Sequence, residues 1–507
     1  MNYLIGIDVG TSATKTVLFD EEGTVIASAS KEYGMIQPQN GWAEQNPGDW
    51  KNAVFETLSE VRERSGVPAG AIKGIGLSGQ MHGLVMLDED NEVIRPSIIW
   101  CDQRTGGQVE EMLQIMPRER WIELTANPPL TGWTAAKILW VKKHEPENYQ
   151  KCRHILLPKD YIRQVLTGVF ATEVSDASGM QLLDVQGRCW SEEVLRALDI
   201  DKSLLGEVYE SCEITGTLLP EIAERTGLNA DTIVVGGAGD NAAAAVGTGV
   251  VADGAAFTTI GTSGVVYAHS SKLAVDPKGR VHTCCCAVPG AWHMMGVTQA
   301  AGLSLKWFCG QFCQDYMVEA ERQGRDVYDL VNEAVQEIKP GSDRLIYLPY
   351  LMGERTPHLD PDCRGVFFGL SAIHTKAHML RAVMEGVSYS LSDCNDILKE
   401  MGIDVDSMMA CGGGGKSPVW RQMLADLYDC SVNTVRQTEG PALGVAILAG
   451  VGCGIYESVE EACDELISEA QSTGADSSVV GKYKAYHELY KELYGNLKNS
   501  YKKLAAL

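Results

Sequence analysis

Four short segments carry residue types that could do chemistry. Asp8 ends the apolar run Tyr3–Val9 and is followed by Gly10-Thr11-Ser12. A glycine turn lets backbone N–H groups approach phosphate oxygens closely, and the carboxylate can hold Mg²⁺ directly or through water. The plain alternative is a β-turn whose Asp and Ser satisfy local amides. The triplet returns at Gly261-Thr262-Ser263, again between two apolar runs, which favours phosphate contact. In Gly236-Gly237-Ala238-Gly239-Asp240-Asn241 a strand ends in glycines and Asp240 starts a helix. Asp is a favoured N-cap. Phosphoryl transfer to a hydroxyl also needs a carboxylate that takes the proton, and spacing alone leaves these two readings equal. Gly79-Gln80-Met81-His82-Gly83 sets a His past a strand end, where a ring nitrogen meets either a sugar hydroxyl or local backbone. Gly412–Gly415 with Lys416 and Ser417 nearly fits a P-loop, which wants Gly where Ala410 stands. The tail beyond it reads as largely helical, so the sheet that should follow a P-loop is missing. The glycines therefore read as backbone along which adenine and ribose lie, with the P-loop as rival.

The elements that must position these residues follow from periodicity. YLIGIDV, TVLFD and TVIASASKEY read as a strand–turn–strand–turn–strand meander. A helix is expected from about Pro47 to Arg64, with Asn46 as N-cap and Pro47 at its first position. Residues 72–78 and 232–236 read as buried strands, and 240–248 as a small Ala-rich helix. Strands alternating with helices indicate α/β architecture. Residues 110–230 look like a helical insertion. Near residue 255 strand–turn–strand begins again, which suggests two lobes of similar core divided at about 247–254. Residues 480–507 repeat Tyr and Leu at three- and four-residue spacing, the pattern of a packing helix.

Composition narrows the function classes. The chain has 507 residues, of which 45% are hydrophobic and 22% charged, enough for large cores without disulfides. A net charge of −24 argues against nucleic-acid binding, which needs clustered Lys and Arg. A nucleotide must then be held by backbone N–H groups, helix N-termini and a metal ion. The 15 cysteines include the run Cys284-Cys285-Cys286, whose neighbours on a strand point to opposite faces; buried reduced thiols are expected. No basic leader and no long apolar span is read, so a cytoplasmic protein without membrane contact is expected.

The motifs IGIDVGTSATK, GLSGQMHGLVMLD, LLPKDYI, GGAGDNAAAAVGTG, YLMGERTPHLD and RGVFFGL occur in this order. To them are added a segment from Gly132-Trp133-Thr134 through Lys137 and Trp140 to His144, and one from Gly365, Phe367, Gly369 and Leu370 to His378, Met379, Ala382 and Glu385. From Asn2 to about Gly450 the chain resembles the FGGY carbohydrate kinase family. The resemblance implies two actin-like (ribonuclease-H-like) lobes flanking a catalytic cleft. Residues 1–249 would bind sugar, and 250–507 would bind ATP and end in a packing helix. It implies ATP and Mg²⁺ as cosubstrates and transfer to the terminal hydroxyl of D-xylulose, with a homodimer left open. Asp240 would accept the proton. Met81, His82, Asn241 and Asp102 would contact the sugar, and Asp8 would support the metal and the phosphates. Thr11, Ser12, Gly261, Thr262, Gly413, Gly414 and Ser417 would face ATP, and Trp307 resembles a nucleotide-side aromatic. The helix N-terminus at Asp240 is expected to keep it ionised at neutral pH. Glycerol kinases of the family carry Arg-Glu where Met81-His82 stands, which points to a ketopentose. Ribulokinase and gluconokinase remain alternatives, because Cys101 replaces the Asn of many relatives. An actin-fold ATPase switch without an acceptor is the reading from another class.

Overall fold

The computed structural model describes residues 1–507. The expected meander forms as β1 (Tyr3–Val9), β2 (Ala13–Asp20) and β3 (Val25–Glu32), all antiparallel. β4 (Ile72–Gly79) returns parallel to β1, and β5 (Ile214–Thr217) lies antiparallel to β6 (Ile233–Val235), which is parallel to β4. The two-residue β7 (Ala238–Gly239) continues along β4. The sheet order is β3-β2-β1-β4-β6-β5.

The second sheet contains β8 (Gly254–Ile260), β9 (Gly264–Ser270), β10 (His282–Cys285), β11 (Trp292–Thr298), β12 (Val405–Cys411), β13 (Ser431–Val435) and β14 (Glu469–Thr473). Its order is β10-β11-β9-β8-β12-β13-β14. From β11 to β14 the pairings run antiparallel, antiparallel, parallel, parallel, antiparallel, the same succession as from β3 to β5. The two Gly-Thr-Ser triplets are thus the tips of the first hairpin of each sheet. The helical reading of the tail is corrected here. β13 does follow parallel to β12, and it escapes periodicity because it is only five residues long and interrupted by Asn433.

Eight helices matter to the site. α1 (Pro47–Ser65) starts where expected, with the Asn46 side chain accepting the Gly48 N–H at 3.0 Å, and buries Trp50, Val54, Leu58 and Val61. The others are α2 (Thr134–His144), α3 (Asp240–Val246), α4 (Gly302–Phe312), α5 (Lys376–Glu400), α6 (Pro418–Tyr428), α7 (Gly440–Gly452) and α8 (Ser477–Ala505). α8 is the expected packing helix and buries Tyr483, Tyr490 and Leu493 in the core of the second lobe. α7 is apolar on every side, as a helix buried all round must be. It crosses back to lie on β1 and β4 of the first sheet and against α3. A division near residue 250 therefore separates the sheets but not the helices. The approach is too close for side chains. A Cβ on Gly6 would fall 1.9 Å from the Ala442 carbonyl oxygen, and one on Gly444 would fall 1.9 Å from that of Ala243.

No helix is long and apolar enough to cross a membrane. All 15 cysteines are free, and Cys284, Cys285 and Cys286 are buried as expected, but Cys189 is exposed.

Candidate active site

Three parallel strands of the first sheet end side by side. Asp8 on β1 is in register with Ser78 on β4, and Gly79 on β4 with Gly239 on β7. The segments leaving these ends are Gly10–Ser12, Gln80–Gly83 and Asp240–Asn241. Topology alone thus brings together residues more than 200 positions apart at the carboxyl ends of a parallel array, a habitual place for ligands in α/β folds.

Asp8 and Asp240 are half-buried, and Asp240 feels the charge of Asp8. Burial pushes the Asp8 carboxyl up to about 6, with the Ser78 hydroxyl and the Lys15 ammonium opposing it in part. Burial first and the Asp8 charge second raise Asp240 to about 7, against hydrogen bonds from the Asn241 backbone N–H (2.7 Å) and Nδ2 (2.8 Å). The expectation of a firmly ionised Asp240 is therefore corrected. Gly239, not Asp240, occupies the N-cap of α3, and desolvation beside a like charge favours the neutral acid. A pKa near neutrality suits a proton acceptor better than a very low one. Asp8 Oδ1 is buried and has no partner.

His82 is half-buried, and its backbone is held in the left-handed region at φ 67°. Lys137 Nζ (2.6 Å) and Thr134 Oγ1 (3.1 Å), both on α2, donate to its carbonyl oxygen. Its ring stacks on Trp133 at 4.9 Å, and Trp133 meets His282 of the second lobe at 5.4 Å. Nδ1 lies 2.8 Å from the Gly179 carbonyl oxygen. A carbonyl only accepts, so Nδ1 carries the proton and Nε2 is left as an acceptor. Burial lowers the ring to about 3, so it stays neutral at any physiological pH. Met81 is wedged between Gly179 and Gly239, linking this side to the strand before Asp240.

In the second lobe β8 and β12 end together, with Thr259 in register with Cys411. The Gly261 carbonyl accepts the Gly302 N–H, and the Thr262 carbonyl accepts those of Ala301 and Leu303, which binds the turn to the start of α4. Gly412–Gly415 form a single helical turn over the end of β8. A Cβ on Gly414 would meet Ile260 at 2.5 Å, whereas one on Gly413 would meet nothing within 4 Å. Gly413 is therefore the member of this turn whose backbone a ligand can approach. Lys15 of the first hairpin pairs with Glu439, just before α7. A surface cavity of about 730 Å³ opens at the opposite end of the first sheet, beside Asn2, Lys73 and Ile214.

This arrangement agrees with what the chain is similar to. The FGGY carbohydrate kinase N-terminal domain matches residues 3–247, and the C-terminal domain matches residues 256–453. The chain belongs to the FGGY family of carbohydrate kinases. A xylulose kinase of Bacillus subtilis is 41% identical over 484 residues, covering 96% of this chain and 95% of the relative. A gluconokinase of the same organism is 32% identical over 505 residues, 99% of this chain and 98% of the relative. The crystal structure of a ligand-bound xylulose kinase from Lactobacillus acidophilus superposes with a TM-score of 0.92 at 28% identity, covering 99% of this chain and 100% of that one. The expected fold of two actin-like, ribonuclease-H-like α/β lobes is the one found.

Two expected contacts of this FGGY kinase, Asp102 and Ser417, are engaged within the chain itself. Asp102 is fully buried. Its carboxylate accepts the Ala43 N–H (2.6 Å), the Arg104 N–H (2.9 Å) and the Arg104 guanidinium (2.8–3.0 Å), leaving it to shape the loop and not to face a sugar. The Ser417 hydroxyl caps α6 through the Trp420 N–H and bonds Asn332 Oδ1 at 2.7 Å, so it serves the fold. Trp307 packs edge-on against Phe308 and Phe312 at the border of the core. Other residues go beyond the sequence reading. Tyr33 (2.5 Å) and Gln80 (3.4 Å) donate to the Gly10 carbonyl, and Gln45 donates to that of Thr11 (2.6 Å). Trp100 Nε1 donates to Thr11 Oγ1 at 2.9 Å, so that hydroxyl is already engaged while Ser12 is exposed. Ser175 Oγ accepts the Gly239 N–H at 3.1 Å, which fixes the strand end before Asp240. Gln80 and Lys137 lay inside quoted motifs, whereas Gln45 and Ser175 carried no signal.

Proposed function

We propose that this kinase transfers the γ-phosphoryl group of ATP to D-xylulose, giving D-xylulose 5-phosphate, with Asp240 as general base. The reading rests on one juxtaposition, in which a carboxylate with a pKa near 7 stands at the strand end next to a neutral His82 that offers Nε2 to a hydroxyl. Residues 1–249 form the sugar-binding lobe and 250–507 the ATP-binding lobe, apart from α7. The sugar lies on Met81, His82 and Asn241. The triphosphate lies along the Gly261-Thr262 turn, with Ser12 facing it from the first lobe, and adenine and ribose lie over Gly413, whose backbone admits close approach.

The residues around Asp8 fit Mg²⁺, because Asp8 Oδ1 is buried without a partner and the Asp8 charge raises the neighbouring Asp240 carboxyl. Asp8 would hold the ion, which when bound offsets phosphate charge and lowers both carboxylate pKa values. Asp240 takes the proton of the sugar hydroxyl as its oxygen attacks phosphorus. Lobe closure excludes water and aligns the reactants, and positioning supplies most of the rate. The free thiols suit a reducing, cytoplasmic setting.

Phosphorylation of gluconate is the second reading, favoured by the gluconokinase relative that aligns over 99% of the chain. A coupled ADP-release assay over D-xylulose, D-ribulose, L-ribulose, gluconate and glycerol separates them. The expected result is sugar-dependent release that is fastest with D-xylulose. A clear preference for another sugar would replace the acceptor, and release independent of any sugar would favour an ATPase switch.

A further inference from the structure

The YLMGERTPHLD motif contains a cation that the mechanism above does not use. Arg355 is only partly exposed. It is the one arginine away from the open surface whose guanidinium makes no hydrogen bond or ion pair within the chain; only its backbone is engaged. Partial burial lowers its pKa, so the guanidinium has lost some of its water without gaining a partner in the chain.

Its position is set by a braced loop. Glu354 Oε1 accepts both the Arg355 N–H and the Gln299 N–H at 2.8 Å. The Thr356 N–H donates to the Val297 carbonyl at 3.0 Å, and the Thr356 hydroxyl donates to the Arg280 carbonyl at 2.8 Å. Val297 lies at the end of β11 nearest the hairpin tip, and Arg280 lies two residues before His282. Arg355 therefore stands beside His282, which meets Trp133, which in turn stacks on His82. Its charge falls on His82, His282 and Cys101, not on the Asp8–Asp240 pair.

We infer that Arg355 reaches from the second lobe to bind the acceptor sugar, gripping oxygens at the end remote from the hydroxyl that Asp240 deprotonates. The partner missing from the chain is the sugar. The five donors of a guanidinium suit adjacent hydroxyl and carbonyl oxygens, and would hold a carboxylate at that end in a bidentate fork. Because the rest of the sugar site belongs to the first lobe, this contact also ties acceptor binding to closure of the cleft.

The inference rests on the sugar-kinase reading, so the wild-type protein is first assayed on D-xylulose and gluconate to fix the acceptor. Failure of D-xylulose there overturns the proposed acceptor alone, and Arg355 is then tested on gluconate. In Arg355→Gln the KM for the acceptor should rise at least about tenfold, as expected for loss of hydrogen bonds to a charged group, while the KM for ATP stays within about twofold. Arg355→Lys should recover part of the loss. The melting temperature of ligand-free Arg355→Gln should match or exceed wild type, because no protein partner is lost, and the rise in melting temperature on adding sugar should shrink. An unchanged acceptor KM, an equal rise in both KM values, or a ligand-free protein that melts earlier with no selective change in sugar binding would each overturn it.

Discussion

The two lobes share one sheet topology and one Gly-Thr-Ser hairpin tip, yet their tips are equipped oppositely. Two residues before the first triplet stands Asp8; two residues before the second stands Thr259. The first tip is clamped by side chains, namely Tyr33, Gln45, Gln80 and Trp100, and sits beside a second carboxylate, Asp240. The second is clamped by the backbone of α4 and overlaid by glycines. In a chain of net charge −24, a polyphosphate can settle only where acids are absent and N–H groups are near. On the proposed function the duplicated geometry serves separate tasks, acid–base and metal chemistry in one lobe and a neutral cradle in the other.

Breaking the charged side should have the largest effect. Asp240→Ala should lose at least about 10²-fold in kcat, the usual lower range for a general base, while ATP affinity by calorimetry stays near wild type. Near-normal turnover would reject the base. Erasing the asymmetry from the other side is milder. Thr259→Asp copies the Asp8 charge into the cradle and should raise the KM for ATP about five- to tenfold, since one unscreened like charge costs about 1 kcal/mol, with little change in sugar KM.

Part of this contrast was legible in the sequence. The apolar runs, the Asn46 cap and the repeated triplet marked the strands, α1 and both tips, because these depend on neighbours in the chain. The rest depends on partners far away. That Asp102 is consumed by Ala43 and Arg104, that Ser417 is a cap, and that α7 returns to the first sheet are outcomes of packing that no local pattern encodes. The charge state of Asp240 belongs to the same class, because its like-charged neighbour, Asp8, is more than 200 residues away.

That neighbour makes a smaller, thermodynamic effect testable. The Asp240 pKa is raised from 3.8 to about 7 on folding. Its contribution to stability is therefore fully present below about pH 4 and is lost as pH rises through about 7. Asp240→Asn should consequently be more stable than wild type at pH 8, by about 1–2 kcal/mol once solvent screening of a partly exposed group is allowed for. By denaturant titration without metal the difference should vanish near pH 4. A variant less stable at both pH values would show that the carboxylate supports the fold and not the reaction.

The most direct test of Asp240 is the pH dependence of kcat/KM for sugar-dependent ADP release, measured on wild type and Asp240→Asn. The expected wild-type profile rises with pH along a limb whose midpoint lies at or below about 7, since only the ionised carboxylate accepts the proton, and the small residual rate of Asp240→Asn lacks that limb. The same limb in the variant, or a near wild-type rate without it, would contradict the assignment of Asp240 as the base.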